Sequence, residues 1–288
     1  MEFSLGDKFK AWLLYPVPHH ALSRLVFWLT RRETRLAQPV MRWFAKRYGV
    51  DMKEAKHGDF SYFTSFNAFF TRELKPTARL VTTDERCIAC PVDGTVSQAG
   101  SIHDGQLFQA KGRTYSLLQL LGGESRDAAP FVDGKFATLY LSPRDYHRIH
   151  MPVDATLIKM THVPGRLFSV APHTVRNVPN LFARNERVVA LFDCSAGRMA
   201  MILVGAINVA AIETIWSGLV TPPTRNSISR REYPRDSAVT LKKGAEMGRF
   251  NMGSTVILLM QGNAAFNGKM SPAGKIKMGE SIGVFTQR

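Results

Sequence analysis

Residues 199–215 read MAMILVGAINVAAIETI, and this stretch indicates whether the chain is a membrane-spanning, helical or β-rich protein. Gly205 and Asn208 interrupt it, so the apolar run from Met199 to Ile212 is too short for a transmembrane helix, which needs about 20 apolar residues. Its apolar residues lack helical spacing and favour a β-structure. We therefore expect this stretch to be a strand region of a β-rich core.

Similar runs lie on both sides of it, separated by Gly, Pro and Asp residues. From about Cys87 onward, the runs with a β-type pattern include Gly94 to Ser97, Phe136 to Leu141, Arg187 to Phe192 and Ser254 to Met260. Helical spacing is clearest in two short segments, Ser65 to Leu74 and Tyr115 to Leu121. The pattern predicts an α+β protein in which helices at the N-terminus precede a β-rich domain.

The first 60 residues combine helical spacing with positive charge and aromatic rings. Apolar residues recur at helical spacing: Leu22, Leu25, Val26, Leu29, Leu36, Val40, Trp43 and Phe44. Basic residues fill the positions between them: Arg24, Arg31, Arg32, Arg35, Arg42, Lys46 and Arg47. Pro39 predicts a break or kink between two helices. With Trp12, Trp28 and Phe27, this pattern favours helices lying on an anionic membrane, where each cation contributes about 1 kcal/mol. The alternative is an ordinary amphipathic helix packed on its own core.

Composition excludes some classes of protein. Of the 288 residues, 45% are hydrophobic and 21% charged, which excludes intrinsic disorder and fibrous classes. Lys and Arg number 38 against 23 for Asp and Glu, so the formal charge of +15 indicates a polyanionic partner. Three cysteines cannot form a disulfide framework and fit a reducing cytosol. No secretory signal is evident, so we expect the protein on the cytoplasmic side.

Several short motifs could carry chemistry. Cys87 and Cys90 have the spacing of a redox or zinc half-site, but no second pair accompanies them, so we expect packed thiols and no metal. Asp93 precedes Gly94 and, taken alone, would shape a turn. His147 and His150 lie three residues apart in a loop after a strand, where histidines can serve as acid or base or have no function.

A Gly-Ser pair lies near the C-terminus. Gly253 would present an unshielded carbonyl, and Ser254 a hydroxyl able to attack it if a base such as His150, oriented by Asp93, took its proton. The alternative is a tight turn before a strand.

Taken in order, these motifs resemble the bacterial phosphatidylserine decarboxylases of the pyruvoyl-dependent, self-processing type. The matching segments are 65–70 with Arg72, 91–94, 140–152, 163–170, 177–187, 204–206, 213–216 and 244–255. The family's usual Leu-Gly-Ser-Thr is here Met252-Gly253-Ser254-Thr255, a volume-conserving change. Each motif is weak, but the ordered series is specific.

The resemblance implies a self-cleavage triad of Asp93, His150 and Ser254. Cleavage between Gly253 and Ser254 would leave residues 1–253 as the larger chain and a pyruvoyl group on Ser254 at the start of residues 254–288. That group would form a Schiff base with phosphatidylserine and release CO2 and phosphatidylethanolamine, without pyridoxal phosphate or metal. His147 would bind the substrate carboxylate or donate the proton.

The resemblance also implies an architecture. We expect residues 1–60 to associate with the membrane and residues 61–288 to form a catalytic domain with a barrel-sandwich type core shared by both fragments. Expected partners are the substrate, an anionic membrane surface and a second copy of the processed pair, and the expected location is the cytoplasmic face of the cell membrane. A basic stretch within 225–243 would be a mobile loop facing lipid or a solvated loop. The rival interpretations are a serine hydrolase and a nucleic-acid-binding protein. Against the first, the sequence contains no Gly-x-Ser-x-Gly motif, and against the second, it contains no recognised nucleic-acid-binding motif.

Overall fold

The structure, a computed structural model, describes residues 18–207, 211–223, 226–234, 236, 238–251 and 255–286. Its helices are His19–Thr30 (α1), Ala37–Tyr48 (α2), Phe66–Phe70 (α3), Leu117–Leu120 (α4), Ser125–Ala128 (α5), Pro172–Val175 (α6) and Leu181–Arg184 (α7). Single 3-10 turns span Phe60–Tyr62, Ala129–Phe131 and Gly268–Met270.

Strands make up most of the regular structure after residue 86. The first nine are Cys87–Ala89 (β1), Gly94–Ser101 (β2), Gln106–Ala110 (β3), Arg113–Ser116 (β4), Lys135–Tyr140 (β5), Arg148–His150 (β6), Ala155–Val163 (β7), Arg187–Cys194 (β8) and Gly197–Val204 (β9). The others are Ile212–Thr214 (β10), Gly218–Leu219 (β11), Ser229–Glu232 (β12), Val239–Leu241 (β13), Glu246–Phe250 (β14), Thr255–Met260 (β15), Ala264–Phe266 (β16), Lys275–Ile276 (β17) and Ser281–Phe285 (β18). The predicted α+β class is confirmed.

The strands pair antiparallel in four sheets. The largest has the order β12-β7-β8-β9-β15-β5-β2-β17, with β13 also on β7. Beside it lie a four-stranded sheet, β11-β10-β14-β6, a three-stranded sheet, β1-β18-β16, and the hairpin of β3 and β4. Over the described residues β12 and β17 do not pair with each other, so the largest sheet is open and does not form a closed barrel.

Strand β15 occupies the centre of the largest sheet. Each of its residues, TVILLM, is buried, and the strand pairs with β9 on one side and β5 on the other. A continuous apolar run of this length suits a strand covered on both faces. Two other strands after residue 254 also join earlier ones, since β17 pairs with β2 and β18 with β1. The C-terminal segment therefore supplies strands to the rest of the molecule, as the sequence predicted.

The strand region expected at 199–215 is present as β9, which ends at Val204, and β10, which begins at Ile212. One expectation about regular structure is wrong. Pro39 lies in the first turn of α2, where its missing N–H is harmless, and the two helices are separated at 31–36.

The expectation that the basic stretch within 225–243 is a loop is also wrong for its described part. Its described part includes β12 and β13, both paired with β7, and Arg230 contacts Glu124 at 2.7 Å.

Helix α2 forms a small core with residues that follow it in the chain. This core combines residues of α2 with aromatic rings that follow residue 60, namely Ala37, Met41, Phe44, Ala45, Phe63, Phe66, Phe69 and Phe70. Helices α1 and α2 also expose large apolar side chains, among them Trp28 (52% exposed), Leu29 (53%) and Trp43 (62%). None of the helices within the described ranges is long and apolar enough to cross a bilayer.

Candidate active site

The two histidines lie at the end of a tightly closed loop that links β5 to β6. The Asp145 carboxylate accepts hydrogen bonds from the Ser142 N–H and hydroxyl, both at 2.7 Å, and the Asp145 N–H donates to the Ser142 carbonyl at 2.9 Å. This short ring of hydrogen bonds fixes the loop, so the following residues enter β6 with a defined orientation.

His150 is held from both ring nitrogens. Its Nδ1 lies 2.7 Å from the carbonyl oxygen of Gly244, which can only accept, so Nδ1 carries the proton. Nε2 is therefore the acceptor for the Tyr146 hydroxyl at 3.1 Å. Burial lowers the pKa of His150, although the Gly244 bond opposes this, and the ring is neutral near pH 7. A neutral histidine with an acceptor nitrogen has the form a general base needs.

Asp93 is buried at the turn into β2. Arg79 donates from Nε to Asp93 Oδ1 at 2.8 Å and from Nη2 to Oδ2. The Met278 N–H donates to Oδ1 at 2.8 Å. Burial would lower the pKa of Arg79, but hydrogen bonds to Asp93 and Glu54 hold it above its ordinary value. The carboxylate is thus fixed by a guanidinium and by a backbone group from the C-terminal segment.

Gly94 lets this turn approach its neighbour closely. A Cβ at this position would overlap the carbonyl oxygen of Tyr140 in β5. The sequence interpretation of Asp93-Gly94 as a turn therefore has a steric basis, and the turn brings Asp93 against the end of β5.

The structure brings Asp93 and His150 into one region without a hydrogen bond between their side chains. The backbone N–H of His150 donates to the backbone carbonyl of Pro91 at 2.9 Å. This bond links β6 to the turn that carries Asp93. The charge of Asp93 acts on His150 by raising its pKa. The orienting bond expected from Asp93 is made instead by the Gly244 carbonyl.

His147 is completely buried. Its Nδ1–H donates to the Asp145 carbonyl at 2.8 Å, its ring centroid lies 4.2 Å from that of Phe70, and its Nε2 has no hydrogen-bond partner among the described residues. Burial, with a contribution from the charge of Arg72, lowers the pKa of His147 to about 3. His147 is therefore neutral at physiological pH, with an unused lone pair on Nε2.

Gly253 and Ser254 lie outside the described residues, but the contacts of Phe250 before them and Thr255 after them are described. Phe250 donates its N–H to the His147 carbonyl at 3.0 Å. Thr255 pairs with Tyr140, which pairs in turn with Thr95. Thr255 and Thr95 therefore pair with Tyr140 from opposite sides of β5. Two strand spacings of about 4.8 Å each separate them.

Buried polar atoms without partners flank this junction. Among the described residues, Asn251 Oδ1 and Thr255 Oγ1 are buried and make no hydrogen bond, as is the case for His147 Nε2. These three atoms therefore have hydrogen-bonding capacity that no described residue uses.

Sequence reasoning missed Tyr146, Arg79, Gly244 and Met278. Tyr146 is in the histidine segment, and its position four residues before His150 could have been noticed. The other three reach the site from distant parts of the chain and carry no local signal. The packed thiol predicted at Cys90 is present: it is buried, and its Sγ lies 3.1 Å from the Val92 carbonyl.

Comparison with known proteins identifies the class as decarboxylases. A family model described as "Phosphatidylserine decarboxylase" matches residues 66–284, and a second, described as "PSD", matches 9–49. The chain belongs to the phosphatidylserine decarboxylase family, as its motifs suggested.

Relatives match over most of their length. Each is named phosphatidylserine decarboxylase proenzyme. The protein from Pseudoalteromonas translucida is 56% identical over 255 residues, which is 88% of both chains. The Vibrio campbellii protein is 54% identical over 277 residues, 95% of this chain and 97% of the relative. The Vibrio cholerae protein is 54% identical over 278 residues, 95% of this chain and 98% of its own.

Proposed function

We propose that this chain is made as a proenzyme, cleaves itself between Gly253 and Ser254, and then decarboxylates phosphatidylserine to phosphatidylethanolamine and CO2. The observation that supports the proposal is the pairing of the chain on either side of Gly253 and Ser254: the Phe250 N–H bonds the His147 carbonyl, and Thr255 pairs with Tyr140, next to Thr95 in the strand that follows Asp93. Family membership and the relatives' naming as proenzymes support the same conclusion.

The cleavage step assigns a role to each member of the triad. His150 Nε2 takes the hydroxyl proton of Ser254, the oxygen attacks the Gly253 carbonyl, and the amide becomes an ester. Elimination then releases Gly253 as a carboxylate and leaves a dehydroalanine, which water converts to the pyruvoyl group and ammonia. Asp93 stabilises the protonated His150 through its charge, in keeping with the direction in which it moves the pKa of His150.

The pyruvoyl group on Ser254 supplies the electron sink for the loss of CO2. The unpartnered polar atoms of Asn251 and Thr255 beside the junction suit such a group. His147 faces the reaction as a neutral ring. An anionic substrate entering beside it raises its pKa, so His147 gains a proton that it can donate after CO2 departs. No metal or pyridoxal phosphate takes part.

We further propose that the enzyme works peripherally on the cytoplasmic face of the cell membrane. The exposed side chains of Trp28, Leu29 and Trp43 give the helices of residues 1–60 an apolar surface, and their basic residues complement an anionic bilayer that presents phosphatidylserine. Nucleic acid is not a partner. Residues 61–288 form the catalytic domain, with a barrel-sandwich type core.

The two fragments remain together as a heterodimer, and two such pairs form the dimer of heterodimers. The strand pairing of the C-terminal segment with β2, β5, β9 and β1 supports retention of the small fragment.

Intact mass spectrometry of the purified, denatured protein tests the proposal. We expect two masses: residues 1–253, and residues 254–288 lighter by one ammonia than the serine-initiated sequence. Ser254→Ala is the matched control and should give one full-length mass. A single mass for folded wild-type protein, with hydrolysis of simple esters, would replace the proposal by the serine hydrolase. Efficient cleavage of Ser254→Ala would refute the nucleophile.

A further inference from the structure

Arg72 is a buried arginine without an acidic partner. It follows α3 and is 5% exposed. Its Nη2 reaches the Arg144 carbonyl at 3.4 Å, and its guanidinium carbon lies 5.7 Å from the centroid of the Phe69 ring. Its Nε is buried and has no hydrogen-bond partner among the described residues. A charge removed from water in this way is costly unless an anion meets it.

The nearest acids are already engaged. Asp93 and Glu54 are both ion-paired with Arg79, and across the described residues no carboxylate lies within 4 Å of the Arg72 guanidinium nitrogens. Burial lowers the pKa of Arg72, and the charges of Asp93 and Glu54 only partly oppose this. Arg72 thus has no carboxylate in direct contact among the described residues, whereas Arg79 is paired with both Glu54 and Asp93.

Arg72 also lines a cavity of about 430 Å³ with a strong excess of positive charge. Lys56, Arg148 and Arg249 line it as well, against a single acid, Glu73. These three cations differ from Arg72 because each has an acid within reach: Lys56 and Arg148 pair with Glu73, and Arg249 lies 3.3 Å from a Glu246 oxygen. Arg72 is therefore the one of these four cations with no carboxylate within 4 Å in the described part of the chain, and it is the donor left for an anion that enters the cavity.

The same arginine lies close to the candidate catalytic histidine. Phe70, two residues before it, packs against the His147 ring, and the charge of Arg72 contributes to the low pKa of His147. The cavity-lining Arg72 is therefore in the same neighbourhood as His147, with Phe70 packed against the histidine ring.

We propose that Arg72 binds the phosphodiester of the substrate headgroup, an inference that rests on the proposed function. The planar guanidinium offers paired donors that match two phosphate oxygens. The substrate carboxylate is the poorer candidate, since it loses its charge as CO2 leaves, and a buried cation on it would stabilise the ground state over the transition state. The phosphate keeps its charge throughout. Only an ester oxygen and Cβ separate phosphorus from the reacting Cα.

The test compares two substrates with processed enzyme in micelles of an uncharged detergent. One is phosphatidylserine, and the other is an O-alkyl-L-serine of matched chain length that lacks phosphate. We expect Arg72→Gln to lower kcat/KM for phosphatidylserine by about 10- to 100-fold, the range for losing charge-assisted hydrogen bonds, and for O-alkyl-serine by less than about threefold. Arg72→Lys should be intermediate on phosphatidylserine. Arg86→Gln, which removes an exposed arginine, is the control.

Each other outcome is decisive. Equal losses on both substrates would assign Arg72 a structural role and overturn the inference, as would an unchanged kcat/KM for phosphatidylserine. An effect of Arg72→Gln that appears only when phosphatidylglycerol is added would assign the phosphate to a neighbouring lipid and also overturn it. Wild-type enzyme that processes but does not decarboxylate phosphatidylserine would instead refute the proposed function.

A measurement on wild-type enzyme covers the case in which Arg72→Gln does not fold or mature. Inorganic phosphate, used as the probe, should raise the KM for phosphatidylserine competitively, whereas chloride at the same ionic strength should not. An unchanged KM, or an equal effect of chloride, would overturn the inference.

Discussion

Acidification should destabilise the precursor through His147 in particular. In the folded chain its pKa is lowered to about 3, chiefly by burial, whereas the ordinary value is 6.5. Above pH 6.5 the ring is neutral in both states and adds no pH dependence. As pH falls from 6.5 towards 3, the unfolded chain binds a proton that the folded chain refuses, so stability is lost. At pH 5 the loss is about 2 kcal/mol, from 1.36 kcal/mol per pH unit.

Urea unfolding measured at pH 7.5 and pH 5.0 isolates this contribution. The Ser254→Ala background keeps each protein a single chain, and His147→Gln in that background removes the titrating group. We expect the parent to lose about 2 kcal/mol more than the His147→Gln variant between the two pH values. Other histidines and carboxylates are common to both proteins and cancel. Equal losses would refute the assignment of His147 as a ring held neutral by burial.

Two further predictions concern the partners of the proposed triad. Tyr146→Phe removes the hydroxyl that occupies His150 Nε2; we expect cleavage to persist and the acid limb of its rate–pH profile to move to higher pH, and abolished cleavage in a folded protein would contradict this. Arg79→Met leaves Asp93 buried and unpaired; we expect a loss of about 3–5 kcal/mol in unfolding free energy and impaired maturation, whereas the exposed control Arg86→Met should change little, and equal stabilities would refute the pairing argument.

The parts of this fold that the sequence predicts are those written in local patterns. The apolar run from Thr255 to Met260 indicates a buried strand, and it is the central one. The helix expected at Ser65 to Leu74 is present but spans only Phe66–Phe70, begun by the Ser65 hydroxyl, which accepts the Ala68 N–H. Local patterns carry little information on where a helix ends, since tertiary packing decides it.

The candidate site could be predicted only in part, for a related reason. The histidine segment and the Asp93 turn are visible as motifs, and the resemblance links them. The contacts that fix Asp93 come from Arg79 and from Met278, the latter 185 residues away, and no spacing rule reports such partners. The acceptor for His150 Nδ1 is the backbone carbonyl of Gly244. Because every residue has such a carbonyl, the sequence does not indicate which residue supplies it.

The central position of β15 makes unfolding of the proposed mature enzyme difficult to reverse. Before the cut, β15 reaches its place between β5 and β9 as part of a continuous chain, and its search is intramolecular. After the cut, the same strand could return to a denatured partner only by a bimolecular encounter, without the effective concentration that a covalent link supplies. Refolding yield should then depend on protein concentration for the processed enzyme but not for its precursor. The persistence of the mature form is thus governed by its unfolding rate rather than by a reversible equilibrium.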